Sequence, residues 1–187
     1  MARTRDQIAD AALAAFGERG YEATTLEEIA ELADVHKRTL LRYFPTKAHL
    51  VLHYQYSALE EFRELMAGRG DKPTLEVWSD HVVLHSKKLT QRGKLSNTRR
   101  IARSEPALGP AYLAIEQEYA TAIAEGLEID MAGHPNREIL CKVAAAALVG
   151  GNYAVGRMIL RREAYDDMER AEMEVLRLVR ENLLGGL

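Results

Sequence analysis

The sequence predicts an all-α protein, with an N-terminal three-helix domain containing a helix-turn-helix and a C-terminal helical body, about nine helices in all. Three observations carry that prediction. Apolar residues recur at helical rather than strand spacing along nearly the whole chain. Polar signatures of helix starts precede several of the periodic runs. The five prolines all fall at the edges of those runs, where a helix can start or stop.

In the first helix Ile8, Ala12, Leu13, Ala15 and Phe16 form one stripe, and Thr4 with Gln7 has the spacing of a capping box. Gly20 ends it. Thr25 with Glu28 repeats the capping signature ahead of Leu26, Ile29, Ala30 and Ala33, a helix of about two turns. A third short helix covers residues 36–44 and stops at Pro45. Thr46 can cap a fourth that carries Leu50, Val51, Tyr54, Leu59, Phe62 and Leu65. Gly68, Gly70 and Pro73 make the clearest break.

Residues 74–91 then place Leu75, Trp78, Val82, His85 and Leu89 on one face, and a further helix over 95–104 stops before Pro106. Gly109-Pro110 opens a helix reaching about residue 130. After a linker over 131–135, Asn136 is a suitable N-cap for a long helix to about residue 162. Asp166 with Glu169 starts the last helix, in which Met168, Ala171, Val175, Leu178, Val179 and Leu183 recur at threes and fours until Gly185. No strand, internal repeat or low-complexity tract is expected.

With 187 residues, 47% hydrophobic and 28% charged, the composition is that of an ordinary folded chain. Cys141 is the single cysteine, which excludes an intramolecular disulfide and a multi-cysteine metal site and suits a reducing cytoplasm. Met1-Ala-Arg-Thr-Arg5 before an apolar run imitates a signal peptide, but Asp10 and Glu18 interrupt it. The longest charge-free stretch, residues 143–156, is shorter than the ~18 to 20 apolar residues of a spanning helix, so no membrane segment is expected.

The net charge of −3 argues against nucleic-acid binding by bulk positive charge. Its distribution argues otherwise. Residues 36–51 hold Lys37, Arg38, Arg42 and Lys47 and no acid, whereas residues 8–34 hold Asp10, Glu18, Glu22, Glu27, Glu28, Glu31 and Asp34 against Arg19. Charge alone does not separate a reading surface from a solvated helix face. The spacing adds to it, because two short helices joined by a three- to four-residue turn over residues 25–44 form the helix-turn-helix pattern. Leu26, Ile29, Ala30, Val35, Leu40 and Phe44 would pack that unit, leaving His36, Lys37, Arg38, Thr39, Arg42 and Tyr43 exposed.

Residues 25–50, TLEEIAELADVHKRTLLRYFPTKAHL, with Val35, Thr39-Leu40, Tyr43-Phe44-Pro45 and Lys47 as their core, closely resemble the DNA-binding domain of the TetR (tetracycline-repressor-like) family of bacterial regulators. The resemblance spans roughly residues 4–52 and implies a helix-turn-helix domain over 1–50 and an effector-binding and dimerisation domain over 51–187. It implies phosphate contacts from Thr25, Tyr43 and Lys47, base-edge contacts from Lys37, Arg38 and Thr39, and either from Arg42. His36 stands at the cap of the reading helix. Asp34 replaces the Gly usual in the turn, His36 replaces a small cap residue, and Leu41 replaces a common Tyr, removing one phosphate contact.

The resemblance further implies a cytoplasmic homodimer on a palindromic operator in double-stranded DNA, a repressor released by a small-molecule effector. The last two helices, rich in Ala144 to Ala147, Gly150, Gly151 and Ala154, are candidates for the dimer contact or for core packing. Candidate effector-lining residues are Trp78, His81, His85, Arg99, Arg103, Tyr112, Tyr119, Asn152 and Tyr153. The basic run from Lys87 to Arg103 can face an anionic effector such as a carboxylate or acyl-CoA, or simply solvent.

His81 and His85 share a helix face but lack a third ligand, so no metal is expected. No nucleophile elbow or glycine-rich phosphate loop is present, so neither catalysis nor a cofactor is expected. Cys141 reads as an inert buried thiol. The rival reading is an all-helical small-molecule binding protein that has lost specific DNA reading.

Overall fold

The computed structural model describes residues 2–91, 105–162 and 167–185. Among the described residues there are nine α-helices, one 3-10 turn and no strand. The chain divides into two compact units, residues 1–57 with 93–113, and residues 58–92 with 114–187.

In the first unit α1 (Ala2–Arg19) buries Ile8, Ala12, Ala15 and Phe16. It begins before Thr4, so the expected capping box does not form; Gln7 instead donates from Nε2 to the Ala33 carbonyl at 3.0 Å. Thr24 is fully buried, and its hydroxyl donates to the Gly20 carbonyl at 2.8 Å, joining the turn after α1 to the start of the next helix. That helix, α2 (Leu26–Leu32), carries the expected capping box between Thr25 and Glu28.

Its end is a Schellman arrangement. The Val35 N–H donates to the Ala30 carbonyl at 2.9 Å and the Asp34 N–H to Glu31 at 3.1 Å, with Asp34 in the left-handed region at φ 51°. Asp34 thus takes the left-handed position of this turn, where Gly is the most common residue. Then α3 (Lys37–Tyr43) starts at His36, whose side chain makes no cap hydrogen bond, and ends at Phe44, held extended ahead of Pro45.

The fourth expected helix is two. Thr46 caps α4 (Lys47–Val51), Leu52 turns at φ −91°, ψ 18°, and α5 (His53–Ala67) follows. Leu40, Phe44, Leu50, Val51 and Leu52 close the core of the first unit, to which Leu108 of the 3-10 turn Pro106–Leu108 also belongs.

The second unit takes in α6 (Thr74–Gln91), α8 (Arg137–Arg162), α9 (Met168–Leu183) and the larger parts of α5 and α7 (Gly109–Asp130). Its core joins Phe62, Trp78, Val82, Ile123, Leu127, Cys141, Ala144, Leu148, Leu176 and Val179. The main packing of the unit is α8 on α9, with α9 also on α6. Gly151 makes the first contact close, because a Cβ there would lie 2.6 Å from Val175 Cγ1. At one end Asp130 accepts from the Thr74 N–H and from Arg69 Nη1, both at 2.7 Å, satisfying the start of α6.

Over Arg137–Ile159 α8 is long and apolar enough by length and composition to cross a membrane, although the charge-free stretch within it is too short to predict one, because Lys142 and Arg157 interrupt an otherwise apolar helix. Its buried face packs in the core through Cys141, Ala144, Ala145 and Leu148, and Ile139 and Val143 are exposed. The expected helix over 95–104 and the Asp166 cap lie outside the described residues.

Candidate nucleic-acid interface

The expected reading residues come together on the surface formed by α3 and its flanks. His36, Lys37, Arg38 and Arg42 are exposed, and Thr39 and Tyr43 are half-buried beside them. Leu40 between them is fully buried and fixes which face turns outward. Leu41 is itself exposed.

The cations on this surface differ in how far the protein already engages them. Lys37 pairs with Glu27, and the Arg42 guanidinium lies over the Tyr43 ring at 5.3 Å. Lys47 Nζ lies over the Tyr21 ring and donates to the Glu22 carbonyl. Arg38 has no ion pair or hydrogen bond among the described residues. A guanidinium left in water keeps its planar fork available for a bidentate partner.

The acids lie on other elements. Asp10, Glu18, Glu22, Glu31 and Asp34 are exposed on α1, α2 and their turns. The two acids in the first turn of α2 are both neutralised, Glu27 by Lys37 and Glu28 by Arg19 at 2.9 Å. The hydrogen bond from Lys37 holds the Glu27 carboxyl below its ordinary range, and hydrogen bonds from Thr25, with Arg19 and Lys47 adding to them, do the same for Glu28. Both donors of Thr25 go to Glu28 Oε2, the N–H at 2.7 Å and the hydroxyl at 3.0 Å. A phosphate reaching those donors must displace that carboxylate.

Behind the surface, His49 bonds Thr46 Oγ1 through Nδ1 at 2.8 Å and stacks on Tyr56 at 4.1 Å. Burial, reinforced by Arg5, pushes the His49 pKa down, which favours the neutral ring. Tyr21 is pushed up by burial and by the neighbouring Glu22 and Glu105.

Among the described candidate effector residues, Trp78, His81, His85 and Tyr119 come together in the second unit. Trp78, His81 and Tyr119 pack with Phe62 inside the second unit, ring centres 5.1 to 5.7 Å apart. His81 Nε2 and the Tyr119 hydroxyl are 3.1 Å apart, and burial pushes the Tyr119 phenol far up, so it stays protonated. His85 stacks on His81 at 5.8 Å. Trp78 Nε1 and Asn152 Oδ1 are buried without a hydrogen-bond partner among the described residues.

Tyr153 is 39% exposed, with Arg157 over its ring. Tyr112 belongs to the first unit, where it accepts from Gln55 Nε2 at 3.4 Å. Arg99 and Arg103, with the rest of the basic run beyond α6, lie outside the described residues. Sequence reasoning missed the polar pair of buried Ser86 with Glu172, at 2.6 Å, which links α6 to α9.

A groove of about 590 Å³ on the second unit is lined by Arg63, Met66, Gln117, Thr121, Ala122 and Ile129 among others, and none of the described candidate effector residues lines it. Among the described residues no three His, Cys, Asp or Glu side chains converge as for a metal. Cys141 is buried with its sulfur 3.7 Å from Met131 Sδ, and burial pushes its thiol pKa up.

Residues 8–54 match the family described as bacterial regulatory proteins, tetR family. Over 69 residues the chain is 45% identical to the HTH-type transcriptional repressor KstR of Rhodococcus jostii, a match covering 37% of this chain and 31% of that one. The match thus spans under a third of that relative's length. In fold the chain is similar to the SmeT–triclosan complex, with a TM-score of 0.69 at 19% identity over 96% of this chain and 90% of that one. It is also similar to Thermus thermophilus FadR bound to lauroyl-CoA, with a TM-score of 0.61 at 22% identity over 98% and 94%.

Proposed function

We propose that this chain, whose residues 8–54 match the tetR family of bacterial regulatory proteins, is a member of that family and a ligand-responsive, sequence-specific DNA-binding repressor acting in the cytoplasm as a homodimer. The observation that carries this reading is the cation-rich face of α3, with an uncommitted Arg38 above a fully buried Leu40. A recognition helix needs its outer side chains available and its inner face locked. In this reading Arg38 and Thr39 contact base edges with Lys37 beside them, Tyr43 and Lys47 contact phosphate with Thr25, and His36 and Arg42 border the groove.

The exposed apolar side of α8, with Ile139 and Val143, supports pairing of two copies through α8 and α9. Two-fold symmetry then sets the reading helices about 34 to 36 Å apart, or further, on a palindromic site. The effector is a largely apolar molecule held in the second unit, whose Trp78 and Asn152 carry buried polar atoms without hydrogen-bond partners among the described residues. A carboxylate or acyl-CoA is a suitable class, in keeping with the lauroyl-CoA bound by Thermus FadR. Such an effector releases DNA only by binding the non-binding conformer more tightly. No catalytic step is assigned.

The test is retention on the DNA beside its own gene. Sequence-selective, salt-dependent binding that a ligand reverses is expected. A second reading, a helical ligand-binding protein without specific DNA recognition, draws on the Glu28 carboxylate that occupies both Thr25 donors and on Leu41. Absence of selective binding at low salt establishes that reading and removes the first.

A further inference from the structure

We infer that Lys37 does not read DNA but serves as the counter-ion of Glu27, so that recognition by α3 falls to Arg38, Thr39 and Arg42. The inference rests on the DNA-binding reading above and sharpens it. By position alone Lys37 is the first residue of α3, where side chains reach base edges. Its ammonium, however, is turned back to α2 and donates to Glu27 Oε1.

The reason lies in the composition of α2. Its first turn carries two consecutive acids, Glu27 and Glu28, on an element expected to lie along the phosphate backbone through Thr25. Two uncompensated carboxylates there would repel the duplex. Each is covered by a cation from a different helix, Glu28 by Arg19 of α1 and Glu27 by Lys37 of α3. The Glu28 carboxylate is also fixed by the capping box, whereas Glu27 has Lys37 as its only ion-pair partner among the described residues.

An exposed ion pair of this kind adds little to folding. Beside a polyanion its role changes, because neutralising the acid removes a repulsion that every bound sequence would feel. A pair of net charge zero also releases no counter-ions from the duplex. Lys37 is thus a positioning residue. It keeps α2 compatible with the backbone while Arg38, one residue on and unpaired among the described residues, remains available to bases.

The test is a double-mutant cycle of Glu27→Gln and Lys37→Met in the full-length protein. Its readouts are affinity for the selected DNA, affinity for single-base variants of it, and the salt dependence of each. Lys37→Met is expected to weaken binding about threefold to tenfold on all sequences alike, the effect of one uncompensated charge near phosphate. The double variant is expected to return to within about twofold of wild type with an unchanged salt slope. Glu27→Gln alone, freeing the lysine, is expected to steepen the slope by up to about one. Thermal melts of all three check that the fold is retained, and Lys37→Arg should restore the wild-type values.

A double variant as weak as Lys37→Met, or a changed base ranking in Lys37→Met, overturns the inference while leaving the regulator intact. Wild-type protein that selects no sequence at low salt removes the DNA-binding reading itself, and this inference with it.

Discussion

The ammonium of Lys47 lies 4.6 Å from the centre of the Tyr21 ring and donates to the Glu22 carbonyl at 3.2 Å. Tyr21 rests in turn on Phe16, 5.2 Å between ring centres, so the turn after α1 holds the lysine of α4 in place. A cation over a partly exposed ring gains about 0.5 to 1 kcal/mol. Tyr21→Leu should therefore weaken binding to every DNA sequence alike, about twofold to fivefold. Tyr21→Phe should not. Fluorescence anisotropy over a salt series checks this, and Lys47→Ala should lower the salt slope by about one.

Arg38 should behave differently. Arg38→Ala is expected to cost about 1 to 3 kcal/mol on the preferred sequence and to flatten preference at one base pair of each half-site, with little effect on unrelated DNA. Competition binding with single-base variants measures it. Equal losses on every variant for both Arg38→Ala and Lys47→Ala would contradict the assignment of one to bases and the other to phosphate.

Asp34 holds φ 51°, a conformation that suits Gly and tolerates Asp or Asn better than other side chains. Asp34→Ala should destabilise by about 1 kcal/mol, because a methyl side chain gains no local hydrogen bond in return. Asp34→Gly should lie within about 0.5 kcal/mol of wild type, relief of strain being offset by the freer unfolded chain. Denaturant melts followed by circular dichroism distinguish the two.

Asp130 provides a pH signature. Burial tends to raise its pKa, but the Thr74 hydrogen bonds and Arg69 outweigh that and hold it below the ordinary value. A carboxyl depressed on folding contributes stability that is present above its unfolded pKa, about 3.9, and lost as pH falls through the lower folded value. Asp130→Asn should lower stability at neutral pH by about 1 kcal/mol, a figure discounted for solvent screening. The gap between the two proteins should narrow as the pH falls below about 4. Melts at pH 7 and at pH 3 test both statements.

The exposed side of α8 offers a test of assembly. Ile139 is 69% exposed and Val143 49%. Val143→Glu should shift the protein toward monomer in sedimentation velocity, since a carboxylate at the centre of a helix-helix contact must be desolvated without a partner. Its helical circular dichroism should stay the same, because the residue faces away from its own core. Binding to a palindromic site should weaken more than binding to a half-site.

Much of this was legible in local patterns. Thr25 with Glu28, Thr46, the Gly and Pro punctuation and the apolar stripes mark elements whose hydrogen bonds close within a few residues. The break at Leu52 was not, because no Gly or Pro marks it; Leu52 donates to Ala48 and accepts from Tyr56, so the helical ladder passes through with a bend. Nor could spacing disclose that Gln7 reaches Ala33, or that Lys37 turns to Glu27 ten residues earlier, since both depend on how separate helices pack. The aromatic group of Phe62, Trp78, His81 and Tyr119 was visible as residue types; its assembly from three helices was not.

Lys37, Arg38, Arg42 and Lys47 stand on α3 and α4, whereas the exposed acids Asp10, Glu18, Glu22, Glu31 and Asp34 stand on α1, α2 and their turns, so that charge is separated between these elements and gives them a local dipole. In the field of a polyanion such a dipole feels a torque, which turns the reading face toward the duplex before contact and disfavours every other orientation. On the DNA-binding function proposed above, a chain with net charge −3 is in this way steered by the arrangement of its charges rather than by their sum. The benefit falls on the rate of productive encounter, and added salt, by shortening the reach of that torque, slows arrival before it hastens departure.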